Sequence, residues 1–108
     1  MKLLHTSDWH VGKEIRGRSR LEESRAVLEE IAAVADQQNV ELVIVAGDLF
    51  ETAAPSAEAE EVVYRALLRL AEGRRRVAVI AGNHDNARRL RAVAPLLHLA
   101  SVHVVTQP

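Results

Sequence analysis

Four short apolar runs punctuate the chain, at Lys2–Thr6, Glu41–Ala46, Val77–Ala81 and Val102–Val105. The second and third runs are almost continuously apolar and rich in β-branched residues. Runs that are apolar on both faces are typical of strands buried in a parallel sheet. We therefore predict four strands, of which the last has the weakest pattern.

Apolar residues recur at helical spacing between these runs. Leu21, Leu28, Ile31 and Ala35 form one stripe, with glutamates mostly on the opposite side. The second stripe comprises Val62, Val63, Ala66, Leu67 and Leu70.

Local signals predict where the helices begin and end. Ser19 with Glu22 predicts a capping box for the first helix. The second helix is predicted to start at Pro55-Ser56 and to stop at Gly73. A third, shorter helix is predicted over about 86–94, with Pro95 ending or kinking it.

The alternation of strands and helices predicts an α/β fold, layered and with a mainly parallel sheet. In such a sheet the loops that leave the carboxyl ends of the strands share one edge, where open α/β folds bind ligands. Candidate chemistry is therefore expected after residues 6, 46 and 81.

Each of these three loops carries side chains that bind metal ions. The first contains Asp8-Trp9-His10, the second Gly47-Asp48 and the third Gly82-Asn83-His84-Asp85. Carboxylate, imidazole and amide oxygen ligands suit hard or borderline cations, and a shared carboxylate can bridge two of them. Taken singly, each motif is also common in ordinary turns or at helix caps. All three at strand ends argue against coincidence.

Composition narrows the class of protein. The chain has 108 residues, 48% of them hydrophobic, and no cysteine. One folded domain is expected, without disulfides, thiolate metal sites or a cysteine nucleophile. No apolar run is long enough for a membrane span or a signal peptide, so a cytoplasmic protein is expected.

The formal net charge of −1 conceals three charged blocks. Residues 21–62 carry eleven acids and one arginine, whereas residues 13–20 and 65–91 are basic. From charge alone, solvated helix faces and a partner surface are equally good explanations.

The three motifs, in this order, resemble those of the calcineurin-like metallophosphoesterase superfamily. The surrounding residues, His5–Gly12 and Val45–Phe50 among them, are similar to its DNA-end-processing nucleases, which work with an SMC-like ATPase. The resemblance implies that Asp8 and His10 hold one metal, that Asp48 bridges two and that Asn83 holds the second. It further implies two divalent ions, preferably Mn²⁺. His84 would stabilise the transition state or protonate the leaving oxygen, with Asp85 positioning it.

Three further histidines of the family, in Gly-His and Gly-His-x-His motifs, are missing from this chain. Residues 1–108 are therefore predicted to be the N-terminal portion of a phosphoesterase domain, nearly inert by itself. His98 is expected at a helix end or partly buried, His103 on one face of the sheet, and His5 packed or supporting a ligand.

Basic residues follow two of the metal loops and are expected to contact the DNA backbone. They are Lys13, Arg16, Arg18 and Arg20 after the first loop, and Arg88, Arg89 and Arg91 after the third. Arg74–Arg76 precede a strand and are expected on the solvated surface of the opposite edge. A small-molecule phosphodiesterase, a phosphoprotein phosphatase and a non-catalytic scaffold remain alternatives, and a homodimer is left open.

Overall fold

The computed structural model describes residues 1–12, 14–15, 18–52 and 54–105, with only the backbone at 14–15, 18–19 and 84–85. The elements in chain order are β1 (Leu3–Ser7), β2 (Glu14–Ile15), β3 (Arg18–Ser19), α1 (Leu21–Gln37), β4 (Leu42–Gly47), α2 (Ala57–Leu70), β5 (Arg76–Ala81), α3 (His84–Leu99) and β6 (Val102–Val105). The four predicted strands and the three predicted helices are confirmed, together with the α/β class.

One four-stranded sheet organises the fold, in the order β1-β4-β5-β6, with every neighbouring pair parallel. Val43 and Val45 of β4 and Val77 and Val79 of β5 are fully buried. Their in-between neighbours, such as Ile44, are only half-buried. One face of the sheet is therefore covered at its central strands, and the other face is partly open.

The first helix begins differently from the prediction. Arg20 occupies the N-cap position without a side-chain cap bond, and Ser19 belongs to β3. The Arg20 guanidinium instead donates to Glu23 Oε2 at 2.7 Å. The predicted capping box is therefore wrong, because the serine lies one residue too early. In α2 the prediction holds, since Ser56 Oγ accepts from the Ala59 N–H at 3.1 Å.

Helix α3 continues through Pro95 to Leu99, so the predicted end near residue 94 is wrong. Proline removes one helical hydrogen bond, the one to the carbonyl of Arg91. Both residues lie on the exposed side of the helix, where water can satisfy that carbonyl. Leu97, beyond the proline, is buried in the core and holds the last turn in place.

Two small features were not predicted. β2 and β3 pair antiparallel, and an isolated parallel bridge joins Val11 to Phe50. Both pairings are too short to produce an apolar period of their own, and the polar segment around β2 and β3 carries no strand pattern.

Arg75 is buried, so the expectation that all of Arg74–Arg76 are solvated is wrong for this residue. Its guanidinium donates to the Leu70 carbonyl and to Asp36 Oδ1, each at 2.6 Å. Arg69 donates to Asp36 Oδ2 at 2.7 Å. Hydrogen bonds from Arg69 and then Arg75 lower the pKa of Asp36 to about 2. The cluster joins α1, the end of α2 and the start of β5.

Of the other histidines, His98 lies in the last turn of α3 as predicted, and is exposed. His5 is exposed in β1 and not packed in the core. None of the helices in the described part of the chain combines the length and the apolar character that a membrane span requires.

Candidate metal centre

The loops after β1 and β4 are held together by backbone hydrogen bonds beyond the ends of both strands. The N–H groups of Asp8, His10 and Val11 donate to the carbonyls of residues 46, 48 and 49 at 2.9–3.1 Å. In return the Glu51 N–H donates to the Val11 carbonyl at 2.9 Å. The sheet pairing therefore extends into the loops that carry the predicted ligands.

Hydrogen bonds link three of the four predicted ligands. Asp8 Oδ1 accepts from the Asp48 N–H at 3.2 Å. Asp48 Oδ1 accepts from Asn83 Nδ2 at 2.8 Å. The third loop is also tied to the second through the backbone, since the Gly82 N–H donates to the Gly47 carbonyl at 2.9 Å. Side chains separated by up to 75 positions in the sequence thus meet at one edge of the sheet.

Two glycines let the carboxylates lie directly against the backbone. A Cβ at Gly47 would be 2.0 Å from Asp8 Oδ1, and Gly47 has a φ of +88° that side chains rarely adopt. A Cβ at Gly82 would be 2.6 Å from Asp48 Oδ1. Any larger residue would therefore displace a carboxylate, which explains why glycine precedes both ligand positions.

Asp8 and His10 both adopt left-handed backbone conformations, with φ of 54° and 47°. Each such conformation costs about 1–3 kcal/mol for a residue other than glycine and persists only where the surrounding structure imposes it. The backbone bonds to the second loop impose it here. Strain at two alternate residues of one loop is typical of a functional site.

Glu51 is a site residue that the sequence reasoning missed. Its Oε2 lies 3.2 Å from His10 Nδ1. A carboxylate on one ring nitrogen fixes the tautomer and leaves the other nitrogen, Nε2, to bind a metal ion. The sequence offered one signal, an acidic residue three positions after Asp48, but only the pairing of the two loops places it beside His10.

Asn83 has the helix-cap role that its position also allowed. It is the N-cap of α3, and its Oδ1 accepts from the Asn86 N–H at 2.9 Å. The amide nitrogen, not the oxygen, faces Asp48. An amide oxygen has two lone pairs, so capping the helix leaves one of them for a cation.

The donor set fits a divalent metal ion, with two carboxylates, one imidazole and one amide held at the same edge. Within residues 1–12, 20–52, 54–83 and 86–105, no three histidine, cysteine or acidic side chains form a ready-made metal site. Asp8 and Asp48 accept bonds from N–H groups, and His10 faces Glu51. The backbone of the site is thus in place, while its side chains bond to one another.

The structure describes only some of the other predicted site residues. The first two residues of α3 are His84 and Asp85, whose side chains lie outside the described residues. Lys13 and Arg16 lie outside them entirely, and Arg18 is described by its backbone alone. Arg88 and Arg91 are exposed. Arg89 Nη1 donates to Glu60 at 2.7 Å, and Arg20 is paired with Glu23. Trp9 donates to Thr6 Oγ1 at 3.1 Å and packs against the core.

Residues 1–104 match the calcineurin-like phosphoesterase family, and the chain belongs to that family. Its curated relatives include SbcD, the D component of the nuclease SbcCD, from three bacteria.

The identities to these relatives are 44% in Bacillus subtilis, 38% in Rhodobacter capsulatus and 34% in Escherichia coli K12. The alignments cover 100%, 97% and 97% of this chain, but only 28%, 26% and 26% of the relatives. The chain thus spans little more than a quarter of the length of these proteins.

Proposed function

We propose that residues 1–108 are the N-terminal portion of the catalytic domain of a metal-dependent DNA nuclease, the subunit that an SbcCD-type complex uses to hydrolyse phosphodiesters. The observation that carries the proposal is the linked set of Asp8, Asp48 and Asn83 at the carboxyl edge of the sheet. The names of the relatives support the substrate class.

Asp8 and His10 would hold one divalent ion, Asp48 would bridge two, and Asn83 would hold the second. Mn²⁺ is the expected metal, since mixed oxygen and nitrogen ligands suit it. When bound, two such ions supply Lewis-acid catalysis and a nucleophile at neutral pH. The further ligands that the family requires would come from other parts of the full-length protein.

The chain's own residues have three tasks in this mechanism. Glu51 holds the Nδ1–H of His10 and so keeps Nε2 free as a lone-pair donor. Gly47 and Gly82 allow Asp8 and Asp48 to lie against the backbone. His84 would stabilise the charge that develops on the phosphoryl group or protonate the leaving oxygen, and Asp85 would position that imidazole.

DNA and an SMC-like ATPase, SbcC, are the proposed partners. Exposed Arg88 and Arg91 on α3 follow the third loop and would contact phosphates without reading sequence. The same role is proposed for Lys13, Arg16, Arg18, Arg20 and Arg89, and phosphate would then replace Glu23 as the partner of Arg20 and Glu60 as the partner of Arg89. The proposed activities are exonuclease on duplex ends and endonuclease on single strands, in the cytoplasm at the nucleoid. A homodimer stays a prediction.

The test compares substrates with the purified full-length protein in Mn²⁺. We expect cleavage of a blunt DNA duplex and little hydrolysis of a small chromogenic diester. Asp48→Asn should abolish cleavage, because it removes the charge shared by both ions, whereas Glu58→Gln, an exposed acid on α2, should leave it unchanged.

The reverse substrate preference would identify a small-molecule phosphodiesterase. Full activity in His84→Ala would contradict the role of that imidazole. Absence of metal-dependent hydrolysis on any phosphoester would leave the non-catalytic scaffold.

A further inference from the structure

Two exposed histidines meet at the end of α3 that lies away from the candidate metal centre. His98 is in the last turn of α3, and His103 is in β6, after a turn in which Ser101 adopts a φ of 66°. Their Nδ1 atoms are 3.0 Å apart. Because His98 follows Asn83 by 15 residues, this pair lies about 22 Å along the helix from Asn83.

The geometry of the two rings matches that of two ligands on one ion. With metal–nitrogen bonds of about 2.0–2.1 Å, two imidazoles at angles between 90° and tetrahedral place their nitrogens about 2.9–3.4 Å apart. The observed ring centres are 4.6 Å apart, with planes at 76°. A straight N–H···N bond of this length would place the centres about 5.3 Å apart. The ring axes are therefore inclined to the line between the nitrogens, as coordination requires.

The surroundings favour a cation at this position. The carboxyl end of a helix carries partial negative charge, and His98 is the basic residue of the last turn of α3. Both histidines are exposed, so water can complete the coordination. Among the residues that the structure describes, no third histidine, cysteine or acidic side chain joins them to form a larger cluster.

We propose that His98 and His103 form a two-imidazole binding site for a transition-metal ion that prefers nitrogen ligands, with Zn²⁺ as its probe. Imidazole suits Zn²⁺, Ni²⁺ and Cu²⁺, whereas the carboxylate-rich centre at the opposite end of α3 suits harder ions. The site is separate from the proposed nuclease centre in position and in chemistry. A bound ion would connect the end of α3 to the edge strand β6.

The experiment measures Zn²⁺ binding to the full-length protein by calorimetry, with Mn²⁺ present. His98→Ala and His103→Ala are compared with wild type and with the double variant. His5→Ala, which removes an exposed histidine from β1, is the matched control. We expect each single variant to lose at least tenfold in affinity for one Zn²⁺, the double variant to lose at least as much as either, and the control to lose nothing.

Equal Zn²⁺ binding by all variants would overturn the proposal, and so would a loss confined to one of the two histidines. Should a variant fail to fold, nitrogen NMR of the wild-type imidazoles decides instead: Zn²⁺ must shift the Nδ1 signals of both His98 and His103 together, and unchanged signals would overturn the site. Mn²⁺-dependent DNA cleavage is recorded separately. Its absence with zinc binding intact would contradict the proposed nuclease and not this site.

Discussion

At the scale of single residues, the site depends on the absence of a side chain at Gly47. Both Gly47 and Gly73 have left-handed φ angles, of 88° and 72°, but only Gly47 has a neighbour in the way. A Cβ at Gly73 would meet nothing within 4 Å. A substitution at Gly73 therefore tests backbone strain alone, whereas one at Gly47 tests backbone strain together with a clash with Asp8.

We expect Gly47→Ala to destabilise the protein more than Gly73→Ala does. Gly73→Ala should lower the free energy of unfolding by about 1–2 kcal/mol, the cost of a left-handed alanine. Gly47→Ala should lower the free energy of unfolding further, because its Cβ also displaces Asp8, and it should weaken Mn²⁺ binding. Urea unfolding and paramagnetic-resonance titration of Mn²⁺ measure the two effects, and equal losses in both variants would contradict the clash.

Glu51 provides the second prediction at this scale. Removing a carboxylate that holds a ligand histidine typically lowers metal affinity by about 10–100-fold. We expect this loss in Glu51→Ala and a smaller one in Glu51→Gln, which keeps an oxygen that can accept from His10. The Mn²⁺ dependence of cleavage by the full-length protein measures it, with Glu58→Gln as the control. If saturating Mn²⁺ failed to restore the rate, Glu51 would have a role other than positioning.

At the scale of elements, the cluster of Asp36, Arg69 and Arg75 connects α1, α2 and β5. Asp36 comes from the end of α1, Arg69 from the last turn of α2, and Arg75 from the residue before β5. Because Arg75 is 6% exposed, losing its partner leaves a buried cation with only backbone carbonyls to accept its bonds.

This cluster predicts a dependence of stability on pH. The pKa of Asp36 is about 2 in the fold against 3.8 ordinarily, so its contribution is present above about pH 4 and is lost as the pH falls through 2. We expect Asp36→Asn to lower the free energy of unfolding at pH 7 and to converge with wild type near pH 2. Glu61→Gln, which removes an exposed pair with Arg65, should change little at either pH. A pH-independent difference would contradict the ionic origin.

Elements with a long apolar period could be predicted from the sequence, and those set by single contacts could not. The strands and the α2 stripe follow from burial that repeats along the chain, and the cap at Ser56 follows from its residue type. By contrast, α3 continues past Pro95 because Leu97 packs in the core, and Arg75 is buried because it pairs with Asp36. Each of these depends on a partner more than 35 positions away or on packing of the whole layer, which local pattern does not contain.

The candidate metal centre could likewise be predicted from the sequence only in part. The topology of a parallel sheet was enough to bring Asp8, Asp48 and Asn83 to one edge. The pairing of the loops after β1 and β4 produces the contact of Gly47 with Asp8, the left-handed conformations of Asp8 and His10, and the position of Glu51. This pairing leaves no periodic pattern in the sequence, so it could not be predicted. The side chains of His84 and Asp85 lie outside the described residues, so their roles remain predictions.

At the scale of the whole molecule, the sheet has a second face that these residues cover only in part. Leu3 and Val105, on the two outer strands, are 51% and 45% exposed, and Ile44 between them is half-buried. Apolar side chains left uncovered on one face of a sheet are typical of a contact with further structure. The relatives, nearly four times as long, have the chain length to supply it.

We therefore expect residues 1–108 alone to self-associate, to bind Mn²⁺ weakly and to cleave DNA poorly compared with the full-length protein. Light scattering and a cleavage assay on both forms measure this. Ile44→Asp, which places a charge on the open face, should reduce self-association of the short form. A monomeric short form with strong Mn²⁺-dependent cleavage would show that the described ligands suffice.

The bonds that continue the sheet into the ligand loops have a consequence for how the site opens. The amides of His10, Val11 and Glu51 are tied into the same ladder as β1 and β4. Their protons should then exchange with solvent as slowly as those of the central strands, although loop amides ordinarily exchange early. The metal loops would form one cooperative unit with the sheet, and heat would abolish metal binding only at the temperature at which the sheet itself unfolds.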